Sequence, residues 1–456
     1  MLAAGQGTRM RSAVVKVLHP IAGRPLLGWP LAALAGVDVE DVVVVVGRDA
    51  DRVQSMLPEG VVAAIQEDQL GTGHATEVGL ASLPANCDTV MVVCGDTPLI
   101  TTQLLAEVIE RHRVANAHVT LVSAILPDAG SYGRIVRRGD RTVERIVEAR
   151  DATPDQLAVG EFNVGLYCFD RTALEAALAG VTSNNSQGER YLTDVVAAVS
   201  GPVVAVVADD PEVSFGVNSR VDLAQCEAII QRRLRERLML AGVTMPDPGA
   251  VYLDADVVVG TDSVLWPGTH LRGRTHIGVG CQIGPDVVLA STVVGDGTKI
   301  ISANISDSSI GAGCEVGPFA YLRPGVRMDD GAKVGTFVEV KNANLGRGAK
   351  VPHLSYIGDA DIGAGTNIGA GNITANYDGF RKHRTTIGIG VKTGSDCVFV
   401  APVVIGDRAM TGAGSIIVAD IPDGALGIAR ARQSVIEGFT DKAESKARAA
   451  ANAAKG

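Results

Sequence analysis

The stretch of sequence that decides the fold lies at residues 310–340, which read IGAGCEVGPFAYLRPGVRMDDGAKVGTFVEV. Every sixth residue of this stretch is apolar, and most are followed by Gly or another small or acidic residue. These positions are Ile310, Val316, Leu322, Met328, Val334 and Val340. A period of six predicts short strands that each turn one aliphatic side chain inward, with small residues at the corners. Three such strands make one triangular coil, so the stretch predicts a left-handed parallel β-helix of hexapeptide repeats.

The same period continues on both sides of this stretch, although its register shifts at several breaks. The further positions in period are Ile277, Ile283, Leu289, Leu345, Val351, Ile357, Ile362, Ile368, Ile387, Phe399, Ile405 and Ile417. One break, residues 373–386, contains Asn376-Tyr377-Asp378-Gly379 and fits no coil. We expect an ejected loop there. Loops on a rigid scaffold commonly carry function, and a plain surface excursion is the alternative.

Ahead of the repeats, short β-branched runs alternate with helical patterns. Residues 42–46 and 119–125 have the composition of buried strands, and residues 101–113 have that of a helix. Such alternation predicts a Rossmann-like α/β domain with a largely parallel sheet.

A helix separates the two patterns. Residues 221–240 are rich in Leu, Ile, Ala, Glu and Arg, with Ser219 as a candidate N-cap and Gly242 as a candidate C-cap. The sequence therefore predicts four segments. They are the α/β domain at 1–219, a connecting helix at 220–242, the β-helix domain at 243–433, and an Ala- and Lys-rich tail at 434–456 that we expect to be frayed.

The composition excludes several classes of protein. A chain of 456 residues is too long for one ordinary core. It contains no apolar run of the roughly 18 residues that a membrane helix needs. A net charge of −10 argues against broad binding of nucleic acid. Seven scattered cysteines without a CxxC pair indicate neither a zinc cluster nor a disulfide framework, so the reducing cytoplasm is the expected compartment.

The first residues form a glycine-rich loop. Residues 2–10, LAAGQGTRM, match neither a Walker A loop nor the GxGxxG of dinucleotide folds. Glycines free backbone amides to point at phosphate oxygens, and Arg9 and Lys16 supply positive charge. Asp96 follows an apolar strand, where a carboxylate is well placed to hold Mg²⁺ against a triphosphate. A helix N-cap is the alternative role for this aspartate.

This loop, with Lys16-Val17-Leu18 after it, closely resembles the start of sugar-1-phosphate nucleotidyltransferases. Further segments resemble one family in particular, the bifunctional bacterial N-acetylglucosamine-1-phosphate uridyltransferase and glucosamine-1-phosphate N-acetyltransferase. These segments are QEDQLGTGHA at 66–75, CGDTPL at 94–99, YGRI at 132–135, IVE at 146–148, FNVG at 162–165 and GVNSR at 216–220. The resemblance extends from Leu2 to about Phe439.

For the first domain the resemblance implies a uridyltransferase site. Lys16 and Arg9 are its catalytic cations, and Asp96 and Asn218 would hold Mg²⁺. The positions implied to contact UTP or UDP-N-acetylglucosamine are Leu2, Ala3, Ala4, Gly5, Lys16, Gln66, Gly71, Thr72, Gly95, Asp96, Gly133, Glu148, Asn163 and Asn218. Among them, Gln66, Gly71 and Thr72 match the family's uracil-reading loop, and Gly133, Glu148 and Asn163 match its sugar contacts.

For the β-helix the resemblance implies an acetyltransferase site. A lone histidine is more often structural, but His353 occupies the position of the family's general base, and Glu339 matches a residue that orients it. The implied contacts to sugar phosphate are Arg323, Lys341, Tyr356, Asn367 and Lys382. The implied contacts to acetyl-CoA are Ala370, Asn376, Tyr377, Ser395, Ala413 and Arg430.

Together these sites imply synthesis of UDP-N-acetylglucosamine, a precursor of bacterial cell-wall polymers. Acetyl-CoA would acetylate glucosamine 1-phosphate, and UTP would then react with N-acetylglucosamine 1-phosphate. The family forms trimers with acetyltransferase sites between subunits, and we expect no nucleic-acid or membrane partner. Two rivals remain: a uridyltransferase whose β-helix serves only for oligomerisation, and a non-catalytic scaffolding protein.

Two departures from the family pattern affect the first domain. Family members carry several residues before the Leu-Ala-Ala-Gly segment, and these form the first strand of the sheet. Here that strand is missing or starts at Met1. If Met1 is the first residue of the protein, we expect an unstable or weakly active uridyltransferase, with the acetyltransferase alone active as an alternative. Val15 replaces the family's proline ahead of Lys16, which would loosen the loop that aims this lysine.

Overall fold

The computed structural model describes residues 1–47 and 49–454. The chain divides into two compact units, Met1–Leu238 with Leu253–Asp256, and Met239–Tyr252 with Val257–Gly456. The last two residues of the predicted tail lie outside the described residues.

The first unit is an α/β domain. Its strands are β1 Pro20–Ile21, β2 Arg24–Pro25, β3 Val42–Val46, β4 Val61–Ile65, β5 Thr89–Val92, β6 Val119–Ile125, β7 Arg134–Arg137, β8 Val143–Val147, β9 Glu161–Asp170 and β10 Val203–Val207. Its helices are α1 Gly28–Leu34, α2 Ala50–Gln54, α3 Thr72–Leu80, α4 Thr102–Val114, α5 Pro154–Leu157, α6 Arg171–Leu178 and α7 Val195–Ala198, and α8 Arg220–Leu240 follows them. Short 3₁₀ turns include Thr8–Met10 and Lys16–Leu18.

The strands of this unit run largely in one direction, as predicted, but β8 and β9 run in the opposite direction, so the sheet is mixed. Its strands run in the order β10-β6-β9-β7-β8, and β5 also pairs with β9. Strands β6 and β10 are parallel, whereas β9 is antiparallel to β5, β6 and β7. The antiparallel β7–β8 hairpin precedes β9, and β9 then runs opposite to β6. Sequence alternation does not reveal this reversal.

The first residues of the chain pair with strands on both sides. The amide of Leu2 donates to the Val93 carbonyl at 2.8 Å, and the amide of Ala3 donates to the Val45 carbonyl at 2.8 Å. Residues 1–3 thus form a short parallel strand between β3 and the end of β5. The glycine-rich loop therefore leaves the sheet at the carboxyl ends of its parallel strands, where ligands of α/β folds bind.

Helix α8 begins with the predicted N-cap. The Asp222 amide donates to the Ser219 hydroxyl at 3.3 Å, and the Ser219 amide donates to the Asp222 carboxylate at 2.8 Å. This reciprocal pair satisfies amides that the first helical turn leaves free. Gly242, the predicted C-cap, has a φ of +95° just beyond the helix.

The second unit is a parallel β-helix with three sheets. The strands of the first sheet are Val251–Leu253, Thr269–Arg272, Val288–Ala290, Ala303–Ser306, Ala320–Leu322, Glu339–Lys341, Tyr356–Gly358, Ile373–Ala375, Val398–Val400 and Ile416–Ile417. Those of the second are Val258–Val259, His276–Ile277, Val293–Val294, Ser309–Ile310, Arg327–Met328, Asn344–Leu345, Ala360–Ile362, Thr385–Ile387 and Val403–Ile405. Those of the third are Val264–Leu265, Gln282–Ile283, Lys299–Ile300, Glu315–Val316, Lys333–Thr336 and Lys350–His353, and the pair Met410–Thr411 and Leu426–Gly427 adds to the same face.

The predicted inward positions form the core of this β-helix, so the predicted fold class is confirmed. All eighteen positions in period are buried, with at most 4% of each side chain exposed. Two inward positions that interrupt the apolar series carry threonine. Thr393 and Thr411 are buried, and each hydroxyl accepts a hydrogen bond from a backbone amide, which satisfies it.

Two predicted segments differ from expectation. The ejected loop is shorter than residues 373–386, because Ile373–Ala375 and Thr385–Ile387 are strands of the coil. The tail is not frayed throughout, since it contains helix α9, Phe439–Ala453, whose side chains are all exposed. Ala, Lys and Glu favour helix even without packing. Within the described residues, no helix is both long and apolar enough to cross a membrane.

Candidate active sites

Three predicted residues of the first unit converge on one point. The Lys16 ammonium lies 2.5 Å from Asp96 Oδ2 and 3.4 Å from Asn218 Oδ1. Lys16 is buried, and Asp96 and Asn218 are partly buried. Two side-chain oxygens that come from distant parts of the sequence thus face a single cation.

The backbone holds this cluster in place. The Val217 amide donates to the Asp96 carbonyl at 2.9 Å, which ties the Asn218 segment to the end of β5. Gly7 lies against Lys16 with a φ of +62°, and a Cβ at this glycine would lie 2.7 Å from the lysine Cβ. A side chain at position 7 would therefore push Lys16 away from Asp96.

The glycine-rich loop borders a cleft. A cleft of about 260 Å³ is lined by Ala3, Ala4, Gly5, Gln6, Ser12, Ala13, Val14, Val15, Gly47, Asp49, Val53 and Gln69. Gln69 donates to the Ala4 carbonyl at 2.7 Å and so closes one side of it. Arg9 is exposed on the loop, and Gly95 donates its amide to the Leu2 carbonyl at 2.8 Å.

The three residues of the predicted uracil-reading loop lie together. Gln66 is buried, and its side-chain amide donates to the Gly71 carbonyl at 3.2 Å. Gly71 has a φ of +108° and packs against the backbone of Arg190. The Thr72 hydroxyl accepts a hydrogen bond from the Leu192 amide at 3.0 Å.

The three predicted sugar contacts also lie together: Gly133 directly precedes β7, Glu148 directly follows β8, and Asn163 lies in β9. The Asn163 amide donates to the Gly133 carbonyl at 2.8 Å, and a Cβ at Gly133 would lie 3.5 Å from the Glu148 carboxylate. Burial raises the pKa of Glu148. Sequence reasoning missed two neighbours: Thr193 donates to Glu148 at 3.0 Å, and Asn163 donates to the Tyr167 hydroxyl at 2.6 Å. Neither residue belongs to a recognisable motif.

Four predicted residues of the second unit lie along one edge of the β-helix. His353, Ala370, Ser395 and Ala413 occupy equivalent positions in successive coils, because the residue after each of the last three donates its amide to the carbonyl of the preceding one. At about 4.8 Å per coil, the four positions span roughly 14 Å. His353, Ser395 and Ala413 are exposed, and Ala370 is partly exposed. These four residues therefore form a solvent-exposed row along this edge of the β-helix.

A cationic cluster lies at the strand Glu339–Lys341, which is the sixth of ten in the first sheet. Lys341 and Lys382 are neighbours, and the positive charge of Lys341 lowers the pKa of Lys382. Arg323 is one coil earlier and forms an ion pair with Glu339 at 3.1 Å. The carboxylate of Glu339 thus contacts Arg323, and Glu339 and His353 lie on different sheets. The predicted role of Glu339 in orienting His353 has no contact to support it within one subunit.

The remaining predicted residues of the second unit surround these two groups. Tyr356 lies opposite Glu339 in the first sheet, and Asn367 bridges Lys350 and Lys392 on the third face. Tyr377 is exposed in the ejected loop, whereas Asn376 at its base is buried. Arg430 is exposed beyond the last coils. Asp359, which no sequence motif singled out, contacts Lys341, Asn342 and Asn376.

The fold and these side chains define a class: a transferase with a nucleotidyltransferase domain followed by a hexapeptide β-helix. The family model of the MobA-like NTP transferase domain matches residues 1–129. Other relatives match nearly the whole chain. The bifunctional protein GlmU of Mycolicibacterium vanbaalenii is 48% identical over 453 residues, which are 97% of this chain and 92% of the relative.

Two further relatives agree. The bifunctional protein GlmU of Trichlorobacter lovleyi is 45% identical over 95% of both chains, and that of Mycobacterium tuberculosis is 46% identical over 97% of this chain and 92% of the relative. The chain belongs to the GlmU family of bifunctional proteins. It is an enzyme with uridyltransferase and acetyltransferase activities, and it synthesises UDP-N-acetylglucosamine from glucosamine 1-phosphate, acetyl-CoA and UTP.

Proposed function

We propose that uridylyl transfer takes place beside Lys16, Asp96 and Asn218. The phosphate of N-acetylglucosamine 1-phosphate attacks the α-phosphorus of UTP, and pyrophosphate leaves. Positive charge and oriented amides stabilise such a transition state more than covalent chemistry does. The observation that carries the proposal is the buried Lys16 ammonium next to the glycine-rich loop. The exposed Arg9 supplies a second cation for the phosphates.

The same residues fit Mg²⁺. Asp96 and Asn218 offer one carboxylate and one amide oxygen, the donors that this ion takes in proteins, and both already face a cation. The described residues contain no group of three or more His, Cys, Asp or Glu side chains that could hold a metal on its own. Two protein ligands suit an ion that also binds phosphate oxygens. When bound, Mg²⁺ would neutralise charge on the triphosphate.

We assign the other predicted residues of this domain to the two ends of the product. Gln66, Gly71 and Thr72 bind the uracil, and Gly133, Glu148 and Asn163 bind the sugar. The contacts that join the members of each triplet support this assignment. Residues 2–5 line the nucleotide phosphates, and Gly95 lies between them and Asp96.

For acetyl transfer we assign the general base to His353. The neutral imidazole takes a proton from the 2-amino group of glucosamine 1-phosphate as the nitrogen attacks the thioester carbonyl, and the CoA thiolate leaves. Ala370, Ser395 and Ala413 bind acetyl-CoA. Their alignment with His353 over roughly 14 Å suits an extended thioester arm whose reactive end lies at the histidine. Asn376, Tyr377 and Arg430 complete that binding site.

The phosphate of the acceptor sugar binds Arg323, Lys341 and Lys382, and Tyr356 and Asn367 contact the sugar. Within one subunit, this cluster and His353 lie at opposite ends of the first-sheet strand Tyr356–Gly358. We infer that a complete site combines edges of neighbouring subunits in a homotrimer. Sedimentation at the monomer mass would contradict this assembly. The product serves cell-wall synthesis in the cytoplasm.

Reciprocal variants test the two sites. Asp96→Ala should lower UTP-dependent pyrophosphate release by at least about 100-fold, with CoA release unchanged. His353→Ala should lower CoA release by at least about 100-fold, with pyrophosphate release from supplied N-acetylglucosamine 1-phosphate unchanged. Each variant is the other's control for folding. Normal turnover of the targeted reaction in either variant would contradict its assignment.

A further inference from the structure

The side chain of Asp359 is buried in a polar cluster at a corner of the β-helix. Its residue is 7% exposed and has a φ of +49°. One carboxylate oxygen accepts a hydrogen bond from Asn342 at 2.6 Å, and the other accepts one from Asn376. The Lys341 ammonium lies 3.9 Å from the second oxygen. A buried carboxylate is costly unless it is paired in this way.

The backbone of the same residue closes the ejected loop. The Asp359 carbonyl accepts a hydrogen bond from the Thr385 amide at 3.1 Å, where the loop re-enters the coil. The side chain of Asn376 donates a hydrogen bond to the Asp359 carboxylate, and Asn376 lies where the loop leaves the coil. One residue therefore holds both ends of the segment 376–384.

The loop itself is folded onto this base. The His383 amide donates to the Asn376 carbonyl at 2.8 Å, and Tyr377 pairs with Lys382 as an antiparallel bridge. Asp378 accepts hydrogen bonds from the amides of Phe380 and Arg381 at 2.7 and 2.6 Å. Because the loop is braced internally, its position depends on its two ends.

Asp359 is also the counter-charge of the lysine pair. Burial favours the neutral acid, but hydrogen bonds from Asn342 and Asn376, together with the charges of Lys341 and Lys382, hold the pKa of Asp359 below its ordinary value. The carboxylate is therefore ionised at neutral pH. It offsets the repulsion between two ammonium groups that would otherwise move apart.

We propose that Asp359 is a positioning residue of the acetyltransferase site: it fixes both ends of the loop 376–384 and keeps Lys341 and Lys382 side by side to receive the phosphate of the acceptor sugar. This inference rests on the proposed role of the two lysines. Asp359 itself does not touch substrate.

The test is Asp359→Asn in the full chain. Asparagine tolerates a left-handed conformation, but it has one acceptor oxygen and no charge, so it loses one of the two amide anchors and the ion pair. The KM for glucosamine 1-phosphate should rise about tenfold, while kcat stays within about twofold, because Asp359 does not contact His353. The KM for acetyl-CoA should rise as well, because Asn376, which Asp359 contacts, belongs to the proposed acetyl-CoA site. Trypsin should cut faster at the exposed Arg381 and Lys382. The retained kcat for acetyl transfer reports that the β-helix is folded, and uridyltransferase activity of the same preparation reports that the first unit is folded.

Asp307→Asn is the matched control. Asp307 lies at the same corner three coils earlier, with a φ of +44°, and is exposed. This variant should leave KM and cleavage unchanged. Asn342→Gly is a second variant that removes one donor to Asp359 at a position with a φ of +45°. It should raise KM about threefold.

The outcomes distinguish a failure of the positioning role of Asp359 from a failure of the proposed phosphate site at Lys341 and Lys382. An unchanged KM in Asp359→Asn, a fall in kcat at constant KM, or a raised KM with unaltered cleavage would overturn the positioning role. Lys341→Met tests the proposed anion site directly and should raise KM. If it does not, the assignment of the phosphate site fails together with the inference; if it does and Asp359→Asn has no effect, only the inference fails.

Discussion

At the residue scale, both candidate sites bring together charges from distant segments. Lys16 lies against Asp96 and Asn218, which follow it by 80 and 202 residues. Such a contact places a cation where the nucleotide phosphates and Mg²⁺ are proposed to bind. In the proposed reaction, Lys16 would bind phosphate oxygens in place of Asp96, which would leave the Asp96 carboxylate free to hold Mg²⁺.

A single methyl group tests the packing of the acetyltransferase site. A Cβ at Gly358 would lie 2.4 Å from the Tyr356 hydroxyl oxygen and 2.8 Å from Asn376 Nδ2. Both side chains would have to move, so Gly358→Ala should lower kcat/KM for acetyl transfer about tenfold. Steady-state CoA release measures this, and pyrophosphate release in the same preparation is the control. Wild-type kcat/KM would show that neither side chain needs its present position.

Sequence motifs predicted the cluster of Lys16, Asp96 and Asn218, because each of these residues lies in a short characteristic segment. Asp359 was not predicted. Its role depends on a loop that leaves the coil and returns beside it, and the sequence shows only an aspartate at a corner. The partner of Glu339 was likewise hidden, since Arg323 is brought to it by coil stacking.

At the element scale, the β-helix was predictable and the first sheet only partly so. Each coil repeats one local rule, so a period of six gives the inward residues without knowledge of distant contacts. Strand direction in the first domain has no such rule, and β9 reverses there. The Ala- and Lys-rich composition of the tail favours helix α9, whereas the prediction from sequence is a frayed tail there.

At the scale of the whole molecule, two folds with different rules share one chain. The α/β unit places loops at the carboxyl ends of its strands for phosphate chemistry, and the β-helix aligns equivalent residues of successive coils into a row. The acetylated sugar phosphate made by the second unit is the substrate of the first. We therefore expect both sites of this chain to be active.

Mass spectrometry of one reaction mixture tests whether both sites work. The protein is incubated with Mg²⁺, glucosamine 1-phosphate, acetyl-CoA and UTP, and the sugar products are followed over time. We expect UDP-N-acetylglucosamine to form, with N-acetylglucosamine 1-phosphate as a transient intermediate. Accumulation of N-acetylglucosamine 1-phosphate alone would contradict a working first domain, and no acetylated product at all would contradict the assignment of the β-helix site.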